Sequence, residues 1–359
     1  MFVFGYTIIK KYMWIDEVEF EKGPIFIVGT AKSGTTLLQS VLDGHPELCV
    51  IPVEIKFFKF PRLPSLPPAN MPPSPLPTWK APTPRGSTSI NEMKAEIKNH
   101  SDIFRLLNGE EINRNISISK KDLDRKKFEK TINDLEPNTV RGLYISFLKA
   151  FHEAMDVNSS FQQTIFVEKT PSMEEYAQEL REWFPRSKFI NSLRNPYANI
   201  YSIGKGRKRK KALTRVVREF RKLWYFMERN ERYMYNYKIS KYEDLLIKPE
   251  SHLKKISRFL GIRFDQILKE PTMLGDTWYG NSRSTNKDFS SIDPKPATAF
   301  RQKISDIDIA IINRYFSYFI KKYGYKKMKS SLIKAFMPSI YEFPHTYIIN
   351  RSLLFRKNI

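Results

Sequence analysis

The residues best suited to chemistry form a glycine-bearing octapeptide near the start of the chain. Residues 29–36 read GTAKSGTT and follow residues 25–28 (IFIV), a short apolar run typical of a buried parallel strand. Apolar residues at helical spacing come next, so the octapeptide joins a predicted strand to a predicted helix. A loop in this position presents backbone N–H groups and the helix dipole to an anion. The sequence therefore predicts a phosphate-binding loop whose binding residues are Lys32, Ser33, Gly34, Thr35 and Thr36.

The position of the lysine distinguishes this loop from a Walker A loop, which reads GxxxxGK[ST]. Here Gly34 is followed by Thr35, and the lysine stands earlier, at Lys32. We also find no clear Walker B carboxylate after a later predicted strand to hold Mg²⁺. The loop is therefore suited to a phosphate-type anion that is bound without a metal–nucleotide clamp. The alternative is an ordinary glycine-containing turn with a solvated lysine.

A second pair of candidate residues lies much later in the chain. Arg194 ends a predicted strand, and Ser202 stands eight positions further on, in the next predicted helix. A guanidinium group and a hydroxyl group suit a phosphate monoester dianion. Together, the two motifs resemble those of the sulfotransferases that use 3′-phosphoadenosine-5′-phosphosulfate (PAPS). In that family the loop binds the 5′-phosphosulfate group, and the arginine and serine bind the 3′-phosphate.

The resemblance extends to segments that carry catalytic residues in the heparan or carbohydrate-type branch of this family. Residues 54–58 (EIKFF) are similar to its ExHFF segment, with Lys56 in place of histidine, and residues 168–171 (EKTP) are similar to its EKTP segment. The resemblance implies that Glu54 is the general base, and that Lys32 and Lys169 act at the transferred sulfuryl group. The alternatives are a surface pair of Glu54 with Lys56, and a structural ion pair of Lys169 with Glu168 or another acid.

Two further cofactor contacts follow from the same resemblance. Residues 241–245 (KYEDL) resemble a segment whose tyrosine approaches the adenine, which implies that role for Tyr242 unless it is only a core residue. Residues 280–282 (GNS) begin a late segment that in related enzymes closes over the cofactor, so Ser282 is also assigned to cofactor binding.

The elements that must position these residues alternate between strands and helices. Five strands are predicted at residues 25–28, 48–52, 164–167, 188–190 and 237–240. This alternation favours an α/β fold with a central parallel sheet flanked by helices, and the resemblance implies the P-loop-like sulfotransferase fold. We expect one domain over residues 20–325, with a proline-rich and helical insertion at residues 61–140. Residues 326–359 form a basic, aromatic tail.

The overall charge predicts an anionic partner. The chain has 61 Lys and Arg against 38 Asp and Glu, a formal net charge of +23. Residues 205–211 are almost entirely basic, which suggests contact with an anionic acceptor or anionic lipid headgroups, or else a solvated helix end. Cys49 is the only cysteine, so an intramolecular disulfide is excluded, and no histidine spacing indicates a metal site. With no stretch long enough to span a bilayer, we expect a cytoplasmic or peripheral membrane protein.

Three functions remain for comparison with the structure. The first is a sulfotransferase that moves a sulfuryl group from PAPS, without a metal, to a hydroxyl or amine of a carbohydrate or glycolipid-type acceptor. The second is a P-loop nucleotide kinase or NTPase, against which the absence of GK[ST] counts. The third is nucleic-acid binding, which charge alone suggests and no recognisable motif supports. We expect the first, with a small-molecule or saccharide acceptor and no nucleic-acid partner.

Overall fold

Five parallel strands form the centre of the fold. The computed structural model describes residues 14–55, 57, 89–100, 123–204, 209–278 and 292–330. In chain order the elements are β1 (Ile25–Gly29), α1 (Thr35–Leu42), β2 (Leu48–Val50), α2 (Ile90–His100), α3 (Arg125–Asp134), α4 (Val140–Ala154), β3 (Ile165–Lys169), α5 (Ala177–Trp183), β4 (Lys188–Leu193), α6 (Pro196–Gly204), α7 (Arg209–Tyr233), β5 (Tyr237–Lys241), α8 (Tyr242–Ile247), α9 (Pro249–Leu260), β6 (Thr272–Met273), β7 (Asp276–Thr277) and α10 (Asp306–Lys322).

The order of the strands places β1 in the middle of the sheet. The order is β2-β3-β1-β4-β5, and every neighbouring pair is parallel. In this register Ile27 lies opposite Lys169, and Gly29 lies opposite Ser192. From β1 the chain first builds the β2–β3 side of the sheet and then crosses to the β4–β5 side. Such a reversal opens a crevice at the carboxyl ends of the strands, where α/β proteins bind their ligands.

Helices cover both faces of the sheet, as the alternating pattern predicts. On β1, Phe26 and Val28 belong to one apolar cluster, which also contains buried side chains of α4, α5, α6, α7 and α10. Ile25 and Ile27 point to the opposite cluster, which α1, α8 and α9 complete. Burial on both faces explains why this strand is continuously apolar rather than alternating. The predicted fold class, a central parallel sheet flanked by helices, is confirmed.

The described part of the predicted insertion is helical. In α3, Phe128 packs edge-to-face on Phe151 of α4, with ring centroids 5.1 Å apart. The Asp124 carboxylate caps α3 by accepting a hydrogen bond from the Lys127 N–H (3.0 Å). The insertion therefore adds to the core on the α4 side of the sheet. The proline-rich residues 61–84 lie outside the described residues.

The chain remains packed beyond the end of α10. The Met328 N–H donates to the Tyr197 hydroxyl (3.1 Å), and the Met328 carbonyl oxygen accepts from Asn313 Nδ2 (3.0 Å). The first residues of the predicted tail therefore contact α6, whereas the rest of that tail, residues 331–359, lies outside the described residues. None of the described helices combines the length and the apolar character that a membrane crossing requires.

A buried carboxyl group makes the stability of the fold sensitive to pH. Glu174 Oε1 accepts from Asn191 Nδ2 (3.2 Å), which also donates to the Tyr237 hydroxyl (2.9 Å). Burial raises the pKa of Glu174 to about 8, and it raises the pKa of Glu179 to about 7. The ordinary pKa of a glutamate carboxyl group is near 4.5. At pH values between 4.5 and these raised pKa values, the folded state therefore holds protons that the unfolded state releases. The contribution of these two groups to stability is therefore fully present below about pH 4.5 and is lost as the pH rises towards 8.

Glu174→Gln should reduce this pH dependence. We expect the free energy of unfolding of the wild-type protein to fall between pH 5 and 8, by at most about 1.4 kcal/mol per pH unit for each carboxyl group. The variant should lose the contribution of Glu174, which urea titrations at several pH values would measure. Glu17→Gln, at an exposed position, is the control and should keep the wild-type slope. Equal slopes for all three proteins would contradict the assignment.

Candidate active site

The site residues predicted from the sequence gather at the carboxyl edge of the sheet. Glu54 follows β2, Lys169 ends β3, the loop of residues 29–36 follows β1, Arg194 follows β4, and Tyr242 follows β5. Each strand of the central sheet therefore contributes to this edge. Parallel strands end at the same edge, so residues far apart in the chain reach one region of the molecule.

Gly34 gives the loop its shape. Its φ of +105° lies in the region that favours glycine, and a Cβ atom at this position would lie 2.2 Å from Cδ2 of Tyr242. Gly34 is also the N-cap of α1, and no side chain caps this helix end. The close approach of Tyr242 therefore requires glycine, and the uncapped helix end is arranged as anion sites commonly are.

The remainder of the loop is held by internal bonds. The Ser33 N–H donates to the Thr30 carbonyl oxygen (3.1 Å), so one of the five predicted N–H donors is used within the loop. The Ser33 carbonyl oxygen accepts from Ser192 Oγ of β4 (3.0 Å). Lys32, whose side chain is exposed, has a φ of +64°, a conformation that costs a non-glycine residue about 1 kcal/mol. The fold therefore maintains a strained backbone at the lysine that the sequence singled out.

Arg194 connects the second motif to the loop. Its Nη1 donates to the Lys32 carbonyl oxygen (2.9 Å), and its guanidinium group lies 4.6 Å from the centroid of the Tyr242 ring. Tyr242 is thus placed between Gly34 and Arg194, and burial raises the pKa of its hydroxyl. The hydrogen bond from Arg194 brings the two predicted anion-binding motifs into direct contact, and the cation–π contact places Tyr242 beside them.

Of the two remaining predicted cofactor residues, the structure describes Ser202 but not Ser282. Ser202 is half-buried in α6, the helix that begins just after Arg194. Ser282 and Lys56 lie outside the described residues, as do residues 205–208 of the basic run. Residues 209–211 of that run begin α7.

Glu54 and Lys169 form an ion pair across neighbouring strands. Lys169 Nζ lies 3.0 Å from Glu54 Oε1, with the lysine side chain 7% and the glutamate side chain 20% exposed. Glu168 instead accepts a hydrogen bond from Thr170 Oγ1. The acid that pairs with Lys169 is therefore the predicted base itself. Their mutual contact fixes the orientation of the Glu54 carboxylate at the edge of the sheet.

The sequence interpretation missed Asn199, which lies between Arg194 and Ser202 in α6 and is almost fully buried. In the amide orientation that satisfies both side-chain atoms, Asn199 donates to the Ala31 carbonyl oxygen (3.0 Å). Its oxygen then accepts from Thr30 Oγ1 (3.1 Å) and the Ser33 N–H (3.3 Å). Asn199 therefore braces the loop from the second motif. A polar residue within an otherwise apolar stretch of helix was the only signal in the sequence.

The residues at this edge fit an anionic cofactor. Within the described part of the chain, Ser33 Oγ and Arg194 Nε are buried polar atoms without a hydrogen-bond partner. Both can donate a hydrogen bond, and buried donors ordinarily have an acceptor. Both belong to the motifs that were assigned to anion binding from the sequence. Within the described ranges, no group of three or more His, Cys, Asp or Glu side chains is placed to hold a metal ion.

Comparison with solved structures supports the fold. The chain is similar to the sulfotransferase domain of the Synechococcus PCC 7002 olefin synthase, with a TM-score of 0.53, 21% identity, and coverage of 80% of this chain and 90% of that one. It is also similar to the sulfotransferase domain from the curacin biosynthetic pathway, with a TM-score of 0.52, 17% identity, and coverage of 86% and 100%. No curated protein sequence matches significantly.

The comparison with family models identifies the family. The model described as "Sulfotransferase family" matches residues 24–266. The match spans β1 to the turn after α9, and so includes the loop, Glu54, Lys169, Arg194 and Tyr242. This chain belongs to the sulfotransferase family.

Proposed function

We propose that this sulfotransferase transfers a sulfuryl group from PAPS to a hydroxyl or amine of a carbohydrate or glycolipid-type acceptor. The observation that supports PAPS most directly is the hydrogen bond from Arg194 to the Lys32 carbonyl oxygen. PAPS carries an anionic group at each end of its ribose, and this bond joins two anion-binding motifs in one site. Simple sulfate or phosphate binding would need only one of them.

Each motif is assigned to one end of the cofactor. Lys32, Ser33, Gly34, Thr35 and Thr36 would hold the 5′-phosphosulfate group, with Ser33 Oγ as a donor that has no other acceptor among the described residues. Arg194 and Ser202 would hold the 3′-phosphate. Tyr242 would contact the adenine, and Ser282 belongs to the segment that we expect to close over it.

The chemistry needs a base on one side and positive charge on the other. When bound, PAPS supplies an activated sulfuryl group whose bridging oxygen leaves with the nucleotide. Glu54 would take the proton of the acceptor group, a contribution of about 10²- to 10⁴-fold in rate. Lys169 holds the Glu54 carboxylate in place through the 3.0 Å ion pair. Lys32 would neutralise negative charge that develops during transfer, and Lys169 would assist it in this role.

The acceptor class is inferred from the EIKFF and EKTP segments and from the basic character of the chain. A net charge of +23 suits an acidic saccharide or an anionic headgroup. We further propose a cytoplasmic location with peripheral association with an anionic membrane, through the basic residues 205–211. In the sequence this run begins three positions after Ser202, one of the proposed cofactor residues.

Two measurements test the proposed function. The first is a thermal shift with 3′-phosphoadenosine 5′-phosphate (PAP), which should stabilise the protein without Mg²⁺, whereas ATP should not. The second is incubation with radiolabelled PAPS and separate polysaccharide and lipid fractions. Label in one fraction would identify the acceptor class, and label in neither would refute a carbohydrate or glycolipid acceptor. No stabilisation by PAP would refute the cofactor.

Arg194→Ala should chiefly weaken the binding of the cofactor. The variant loses the fork of donors for the 3′-phosphate and the contact with the Lys32 carbonyl oxygen, so we expect the Kd for PAP to rise about 100-fold. Arg194→Lys keeps the charge without the planar fork and should recover only part of this loss. Isothermal titration calorimetry measures both values. Wild-type affinity in Arg194→Ala would contradict the assignment.

A further inference from the structure

The segment after α10 contacts the start of α8, next to the proposed cofactor site. Lys241 Nζ donates to the Tyr323 carbonyl oxygen (2.7 Å) and lies 5.5 Å from the centroid of the Tyr325 ring. The Tyr325 hydroxyl donates to Glu243 Oε2 (3.0 Å). Lys241 and Glu243 flank Tyr242, whose ring contacts Arg194. Two residues of this late segment therefore hold both neighbours of the predicted adenine-binding residue.

Glu243 also contacts the backbone next to Arg194. Its other carboxylate oxygen, Oε1, accepts from the Asn195 N–H (2.9 Å). Asn195 directly follows Arg194, and its side chain accepts from the Tyr197 N–H at the start of α6 (3.0 Å). Glu243 thus bridges Tyr325 and the backbone turn that carries Arg194. A carboxylate bound on both oxygens holds its partners more rigidly than a single hydrogen bond does.

We infer that Tyr325 is a positioning residue for the binding of the 3′-phosphate, because it holds Glu243 against the Asn195 N–H and so fixes the backbone at Arg194. The inference rests on the proposed function, in which Arg194 binds that phosphate. Tyr325 lies beyond residues 24–266, the part of the chain that the family model matches. The matched part therefore contains Arg194 and Glu243 but not Tyr325, which binds Glu243.

The geometry favours this role over a general contribution to stability. Without the Tyr325 hydroxyl, Glu243 Oε2 loses a donor in a largely buried position, and the carboxylate can turn away from Asn195. Arg194 would then lose its fixed backbone, whereas Lys241, on the other side of Tyr242, would keep its contact with the aromatic ring at position 325. The loop after β1 is held separately, by Asn199 and by Ser192. The effect should therefore fall on the 3′-phosphate end of the cofactor.

The test compares two nucleotides that differ only in the 3′-phosphate. We expect Tyr325→Phe to raise the Kd for PAP about 10-fold, the effect of losing one hydrogen bond to a charged group. The Kd for 5′-AMP should change by less than about twofold, which also shows that the variant is folded. Tyr323→Phe is the matched control, because its hydroxyl contacts Glu231 of α7 (3.4 Å) and not Glu243. It should bind both nucleotides as the wild-type protein does.

A double variant tests whether Tyr325 acts through Arg194. In an Arg194→Ala background, Tyr325→Phe should cause no further loss of PAP affinity, since the residue that it positions is gone. Additive losses, equal losses for PAP and 5′-AMP, or unchanged PAP binding in Tyr325→Phe would each overturn the inference. A wild-type protein that binds 5′-AMP as tightly as PAP would instead refute the proposed function, and the inference with it.

Discussion

Glu54→Gln is expected to lower kcat for sulfuryl transfer by about 10²- to 10⁴-fold, because the amide cannot accept the proton of the acceptor. The Kd for PAP should stay near the wild-type value, since Glu54 belongs to the β2–β3 side of the site and the cofactor motifs belong to β1, β4 and β5. A radiolabel transfer assay measures the first quantity, and calorimetry the second. Full activity in Glu54→Gln would show that another group is the base.

The ion pair with Lys169 calls for a second variant in this experiment. Glu54→Gln leaves a largely buried lysine without the anion 3.0 Å away, which should lower the stability by about 1–3 kcal/mol. Glu54→Gln combined with Lys169→Gln removes both charges and should recover much of this loss while it remains inactive. Recovery of activity together with stability would mean that the single variant was inactive only because it was destabilised.

Lys32→Ala is expected to lower kcat/KM by about 10²- to 10³-fold, the usual effect of losing one group that stabilises developing negative charge. Alanine and lysine have the same Cβ atom, so the strain at a φ of +64° should be the same in both proteins. The bond from Arg194 to residue 32 involves the backbone carbonyl and is also retained. The variant should therefore fold normally, and its Tm should match that of the wild-type protein.

Two substitutions serve as controls for this variant. Lys32→Arg keeps the positive charge and should recover part of the activity. Lys22→Ala removes an exposed lysine that lies 3.7 Å from Glu47, and it should leave the activity unchanged because exposed pairs contribute little. A Lys32→Ala enzyme as active as Lys22→Ala would show that Lys32 does not act in transfer.

The parts of the molecule that were predictable from the sequence are those encoded locally. The apolar run of β1, the glycine at position 34 and the helical spacing that follows sit within a few residues of one another, so their pattern fixes a strand, a loop and a helix. The sulfotransferase family, confirmed by the match over residues 24–266, followed from local motifs in the same way. The motif of Arg194 and Ser202 is likewise contained in one turn and one helix.

The parts that were not predictable depend on the order of the strands. Lys169 reaches Glu54 because β3 lies beside β2, whereas the sequence offered Lys56 and Glu168 as the nearer partners. Asn199 and Tyr325 likewise have no distinctive residue type or spacing, and their roles arise only when α6 and the segment after α10 pack against the loop and Glu243. Contacts between distant residues, rather than local propensity, determine these features.

The adjacency of β2 and β3 also has an evolutionary consequence. The long connection between them starts at one strand and ends at its neighbour in the sheet. Its length can therefore change without altering the order of the strands. The loops after β1, β4 and β5, which carry the proposed cofactor residues, are on other connections. Selection could thus reshape the surface beside Glu54, where the acceptor is proposed to bind, without moving the loops that carry the proposed cofactor residues.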